Sequence, residues 1–321
     1  MVYTFGPKVL ASLVDEMANS LISSTDLIDG LHHWTDADTT WNTTVRTAND
    51  AKRALKYQNV SELIYVAFEA RNTWYSNYSG QTAKGLRITF SSSWDIITHT
   101  YVGALQQTSI PFIVYTGAQP TVDLSAIILT YYMWVESNGL TVLAKPEPTG
   151  ANNDNSFFLV IERNPNKFYN DNQSNFYCYN AMNIWPTIHG YVGEPDLHKS
   201  MLRPFIYKWP NVNGANTSPN YYCLSFATFD RSYAFKSAGN GKIYYVKPII
   251  YNNALEYGQV ATWINPIPIF QSELWFYWSE GMGLVDGDVV AVEGQATKYL
   301  IKSLDSPDST TKLTYAIKIA G

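Results

Sequence analysis

Residues Trp134 to Leu143, Trp-Val-Glu-Ser-Asn-Gly-Leu-Thr-Val-Leu, constrain the fold more than any other stretch of this chain. Asn138-Gly139 accepts positive φ at two consecutive positions. A two-residue type I′ turn needs that, so a tight antiparallel hairpin is predicted there. The run before the turn is apolar on both sides of a pleat. Ile127, Leu129, Tyr131 and Met133 fall on one side, Ile128, Tyr132 and Trp134 on the other. Such a strand sits inside a sheet and is covered on both faces.

Strand-like runs recur along the chain at Leu63–Phe68, Leu86–Phe90, Phe112–Tyr115, Phe157–Glu162, Phe176–Tyr179, Tyr221–Phe229, Lys242–Lys247 and Leu274–Trp278. Val289–Val292, Thr297–Leu304 and Lys312–Ile319 close it as a three-stranded meander. Between the strands lie long Asn/Pro/Gly-rich stretches: Lys145–Asn155, Asn164–Asn175, Trp185–Leu202 and Pro210–Asn220. Loops of that length are usually functional or ordered by a neighbour.

The first segment reads differently. Val9, Leu10, Leu13, Val14, Met17 and Leu21 recur at helical spacing, and Pro7 suits a first helical turn. Asp15, Glu16 and Asn19 fall on the opposite side. The Thr/Asp cluster from Thr35 to Trp41 reads as a loop or helix cap. A second short helix is expected over Ala48–Lys56, with Lys52, Arg53 and Lys56 facing solvent. The expected fold class is mainly β: an antiparallel β-sandwich or barrel with an N-terminal amphipathic helix and long irregular loops. The expected divisions are a helical segment over 1–60, a β domain over 61–280 and the meander over 281–321, the last as part of the same domain.

Composition narrows the function. Of 321 residues 46% are hydrophobic, enough for a core, but only 15% are charged, against about 25% in ordinary soluble domains. Aromatics reach 15%, with 24 Tyr and 10 Trp. Tyr and Trp offer large contact area with a polar tip, so the preferred reading is a surface built for protein contacts. The plainer reading is that they are strand formers. Net charge is −5 and there is no basic stripe, which argues against sequence-specific nucleic-acid contact. The longest apolar run, Ala126–Val135, falls short of the ~20 residues that span a bilayer, so no membrane partner is expected. The first residues show no basic-then-apolar secretory signal. The five Asn-x-Ser/Thr triplets follow from composition.

No catalytic, cofactor or metal site is expected. His32 and His33 are adjacent and diverge, and His99, His189 and His198 are scattered without zinc spacing. Asp36 and Asp38 have a D-x-D spacing, but the rest of a calcium loop is missing. Cys178 and Cys223 sit in Tyr-rich runs. Two free buried thiols are preferred over a disulfide. Gly239-Asn240-Gly241-Lys242 leads into a strand, where a phosphate loop needs a helix. Glu69, Glu162 and Asp230 could supply a glycosidase pair only as any β protein of this size could.

In the meander, Gly287-Asp288 opens a strand that carries Val290, Val292 and Gly294, and the next strand carries Tyr299 and Ile301. This resembles a pattern in virion proteins of tailed bacteriophages. The opening helix, Trp34 and the Asp36–Trp41 loop are similar to that group more loosely. The resemblance spans about the last 40 residues and, loosely, the first 60. It implies a repeated, non-enzymatic subunit of the tail, neck or baseplate, located in the virion. Its partners would be copies of itself and other virion proteins. The alternative is a carbohydrate- or receptor-binding module at the tail tip that meets a host-surface glycan. That reading requires exposed rings among Trp74, Trp94, Trp185, Trp209 and Trp263. A glycan hydrolase is the third reading.

Overall fold

A computed structural model gives the fold. It describes residues 2–26, 29–44, 52–60, 62–76, 82–115, 124, 127–136, 139–146, 157–163, 176–182, 205–209, 222–224, 249–252, 264–269, 274–278, 285, 287–291, 293–304 and 313–320. The described chain is mainly β, in antiparallel sheets that do not close into a barrel.

The chain opens on a strand, β1 (Val2–Val9), followed by α1 (Leu10–Ser23). The predicted helix therefore starts three residues late, and Pro7 lies in the strand. Proline is tolerated there because β1 pairs only with β7 (Ile128–Glu136), Pro7 opposite Thr130, at the edge of its sheet. That sheet has six strands in the order β1-β7-β8-β9-β10-β11, with β8 (Gly139–Pro146), β9 (Phe157–Arg163), β10 (Phe176–Met182) and β11 (Phe205–Trp209). The β7–β8 hairpin forms where expected, but Glu136 pairs with Gly139. The two-residue connection is therefore Ser137-Asn138 rather than Asn138-Gly139, and those two residues lie outside the described set.

A second sheet has the order β2-β3-β4-β5-β6, built from β2 (Trp34–Asp36), β3 (Lys52–Gln58), β4 (Leu63–Ser76), β5 (Thr82–Asp95) and β6 (Thr100–Tyr115). The short helix expected over Ala48–Lys56 is absent among the described residues, where β3 takes Lys52 onward. Its side chains alternate. Arg53, Leu55 and Tyr57 share a face with Phe68, Val66 and Ile64. Arg53 is buried rather than solvent-facing. A six-residue helix, α2 (Thr39–Thr44), follows β2. The described part of the first sixty residues thus alternates strand and helix.

One core joins both sheets to α1. Leu13, Val14, Met17 and Leu21 of the helix belong to the same cluster as Leu55, Val66, Phe68 and Ile88 of the five-stranded sheet. Leu129, Tyr131, Met133, Val142 and Ile161 of the six-stranded sheet complete it. The polar side of α1 is fastened as well. Tyr131 donates its hydroxyl to Glu16 at 2.8 Å, and Glu16 also pairs with Lys8. The Arg53 guanidinium donates to Asn19 at 2.8 Å and to Asp36 at 2.8 Å, with Asp15 at 3.4 Å. One buried cation therefore ties α1, β2 and β3 together.

The second face of β7 is only partly covered. Trp134 is buried and Tyr132 half-buried, while Ile128 is exposed. The Lys302 ammonium sits 4.3 Å above the Tyr132 ring. It comes from a four-stranded sheet ordered β15-β18-β17-β16. There β16 (Val289–Ala291), β17 (Lys298–Leu304) and β18 (Leu313–Ala320) form the predicted meander, and β15 (Leu274–Trp278) adds to its far side. A small sheet of β12 (Tyr222–Leu224), β13 (Ile249–Asn252) and β14 (Ile264–Ile269) completes the described strands. The expected strand Lys242–Lys247 and most of the long loops lie outside the described residues. No described helix is long and apolar enough to cross a membrane.

Candidate functional site

The tip of the β5–β6 hairpin combines exposed apolar side chains with a densely hydrogen-bonded turn. Asp95 pairs with Thr100, so Ile96 to His99 make the connection. Four residues are enough here because Asp95 supplies the turn's hydrogen bonds. Its Oδ1 accepts from the Ile97 amide at 2.8 Å and the Thr98 amide at 3.3 Å, and its Oδ2 accepts the Thr98 hydroxyl at 2.7 Å. The Thr98 hydroxyl and Ile97 amide bonds hold the Asp95 carboxyl below its usual range, even against burial. His99 has φ +54°, a left-handed conformation that is uncommon outside glycine.

His99 is held there from outside the hairpin. Its Nδ1 lies 2.7 Å from Asp38 Oδ2. The same oxygen accepts the Trp94 indole N–H at 2.9 Å, while Oδ1 accepts the Trp41 amide at 2.8 Å. Asp38 precedes α2 and caps it, so the expected Thr/Asp cap is found at this residue. Burial pushes the Asp38 carboxyl up, but the bonds from His99, Trp94 and Trp41 outweigh it and hold the carboxyl below its ordinary value. Trp41 and Trp94 meet with ring centroids 4.9 Å apart, over Ala54 and Ala67. Further back, a register shift between Ser91 and Ser93 re-aims the strand. Gly103, at φ +86°, sits opposite it, and a Cβ there would lie 2.3 Å from Ser92 Oγ.

This scaffold holds two isoleucines in water. Ile96 is 65% exposed and Ile97 is 85% exposed. Val102, opposite Ser93 in β6, is exposed as well. Chemically, Asp38–His99 is a buried carboxylate orienting an imidazole, the first two parts of a base-and-nucleophile arrangement. Among the described residues no hydroxyl or thiol is shown bonded to the His99 Nε2. What the pair does in the geometry at hand is hold a turn.

The fold brings together a second group that sequence reading passed over. Asp26, Asp29 and His33 place one ligand atom each within 4.8 Å of one another. Their spacing matches no common metal motif, which is why the pattern was silent. His32 turns away to the Ser24 carbonyl at 2.8 Å.

The other candidates are placed as follows. Asp36 and Asp38 take separate partners, Arg53 and the tip lock, so the D-x-D spacing does not converge. Glu69 is buried in an ion pair with Arg87, with Lys52 at 4.0 Å, and faces no second carboxylate among the described residues. Cys178 lies in β10 and Cys223 in β12, in different sheets. Glu162 occupies a strand position opposite Gly139 and Tyr177. His189, His198, Asp230, Gly239–Lys242, Trp185 and Trp263 lie outside the described residues, as do the side chains of Trp74 and Trp209. Trp94 is buried, so it is no exposed platform for a sugar.

Among the described residues, most aromatic side chains lie inside. Trp34, Trp41, Trp94, Trp134, Tyr57, Tyr131, Phe68 and Phe90 are all buried within the chain. Among the described residues the large exposed apolar side chains are mostly aliphatic, with Phe5 the aromatic exception. No protein-family model, curated protein or solved structure matches this chain.

Proposed function

We propose that this chain is a non-enzymatic assembly subunit whose β5–β6 tip docks into a hydrophobic pocket of a neighbouring subunit. The carrying observation is the rigid apolar tip. Two isoleucines stand in water on a turn fixed by Asp95 and by the Asp38–His99 bond. Holding His99 at positive φ costs about 1 kcal/mol or more, and leaving two isoleucines exposed forgoes a few kcal/mol of burial. A preorganised apolar anchor recovers that on association, because little freedom is lost when it docks. The open edge of β1, with Phe5 67% exposed, offers a second contact by strand addition. We read the two large sheets with α1 between them as a filled sandwich, a stiff body suited to repetition.

Placement in the tail, neck or baseplate of a phage particle rests on the resemblance of the C-terminal meander. Its turn supports that resemblance in detail. Asp288 Oδ2 accepts the Val285 amide at 2.7 Å, and Gly287 takes φ +93°. The neighbours on this reading are copies of the chain and other virion proteins.

The test is incorporation. Particles assembled with the double variant Ile96→Asp, Ile97→Asp should contain about tenfold less of the chain by quantitative mass spectrometry than wild-type particles. The isolated variant should melt within a degree or two of wild type, since neither side chain is buried. Undiminished incorporation, or particles that never contain the chain, would sink the proposal.

A further inference from the structure

We propose that Asp26, Asp29 and His33 bind one divalent transition cation of the Zn2+ class. Among the described residues they form a group of one imidazole and two carboxylates whose ligand atoms lie within 4.8 Å of one another. Asp26 is 6% exposed and Asp29 is exposed, so one wall of the site is fixed and the other can swing.

The orientation of His33 points to a cation from outside the acidic pair. Its Nδ1 lies 3.0 Å from the Gln58 backbone carbonyl, at the end of β3. A carbonyl only accepts, so Nδ1 carries the hydrogen. Its Nε2 faces Asp29 Oδ2 at 2.7 Å, so both ring nitrogens are aimed at oxygens. Either a proton or a metal cation can join that nitrogen to the carboxylate. An imidazole anchored through its other nitrogen by a backbone carbonyl is the arrangement metal-bound histidines show.

The donor set decides the class. One nitrogen and two carboxylate oxygens suit Zn2+, Co2+ or Mn2+, with water completing the shell. Ca2+ prefers six to eight oxygens and is disfavoured. Ligands of a tetrahedral Zn2+ sit about 3.3 Å apart, so Asp29 must withdraw by about half an ångström. Its exposure makes that movement cheap. The bound cation would fasten Asp26 and Asp29 to the end of β3 through His33 and Gln58.

The test uses the full chain and ZnCl2 alone. Calorimetry should show a site of one Zn2+ per chain that His33→Gln and Asp26→Asn each weaken about tenfold or more. His32→Gln should leave that site within about twofold, because His32 bonds elsewhere. In the wild type, Zn2+ should move the His33 Nε2 nitrogen resonance and leave that of His32 in place, a readout that needs no variant to fold. An unmoved His33 resonance overturns the proposal. So does affinity equal to wild type in both folded variants, or no Zn2+ uptake below about 1 mM. Each result would leave a plain His33–Asp29 hydrogen bond.

Discussion

The inner and outer faces of the five-stranded sheet are made by the same strands and are held by different forces. The inner face is hydrocarbon. Leu55, Val66, Phe68, Ile88 and Phe90 form one cluster with α1, and Arg53, which alternates onto the same face, donates to Asn19 of the helix. The outer face buries small side chains, Ala54 and Ala67, beneath Trp41 and Trp94. Around them it satisfies Glu69 with Arg87, and Asp38 with Trp94 and His99. Burial on the inner face is non-directional and tolerates change of shape. The outer face depends on individual donors and acceptors, so it fixes positions, including that of the apolar tip. The difference teaches that stability and placement are divided between the two sides of one sheet.

The sharpest way to break that comparison is on the inner side. Phe68→Ala should cost about 3–5 kcal/mol in urea unfolding, because Phe68 is fully buried and its neighbours belong to a rigid core. A loss near 1 kcal/mol would show that the inner face repacks freely. Arg53→Met should cost about 2 kcal/mol, less than the phenylalanine because Asp15 and Asp36 stay partly hydrated. The buried Arg53 Nε has no hydrogen-bond partner, which lowers the loss further.

On the outer side, Asp38→Ala should cost about 1–2 kcal/mol through the lost cap and the orphaned Trp94 N–H. This difference should depend on pH. The folded Asp38 carboxyl titrates below the unfolded value of 3.8. Its contribution is therefore present above that value and fades as pH falls through the lower folded one. Wild type and Asp38→Ala should converge in acid. A gap that persists unchanged would mean that the charge of Asp38 is irrelevant.

The smallest effect lies on the outer face of the other sheet, at alkaline pH. Burial, then the neighbouring Tyr132, pushes Tyr3 up to about 12 from 10.0. The stabilising difference is full below the unfolded value and is lost as pH rises through 10 toward 12, since the unfolded chain ionises first. Tyr3→Phe should remove that part of the alkaline destabilisation. Equal pH slopes for both proteins would place Tyr3 in water.

Much of the fold was legible where the signal is local. The Leu10, Leu13, Val14, Met17, Leu21 stripe reads as a helix because its spacing is set within one helix. The meander reads as strands because Gly287 and Gly294 punctuate it at positive φ. The helix expected over Ala48–Lys56 gives way to β3 from Lys52, because a helical pattern and a strand pattern overlap over so few residues. Only the pairing with β4 selects the strand. The candidate sites were not legible. His99 meets Asp38 across 61 positions and Arg53 meets Asp15 across 38, and no spacing rule reaches that far.

The sequence by itself determined that this chain is rich in strands, that one amphipathic helix follows its opening residues, and that its last strands form a meander. Those properties follow from backbone preferences and side-chain alternation over a few residues. Tertiary structure alone decided that the tryptophans with described side chains go inside, that aliphatic tips stay outside, and which histidine meets which carboxylate. Those outcomes depend on which distant strands become neighbours. That choice is made by the burial of the whole core, not by any segment of it.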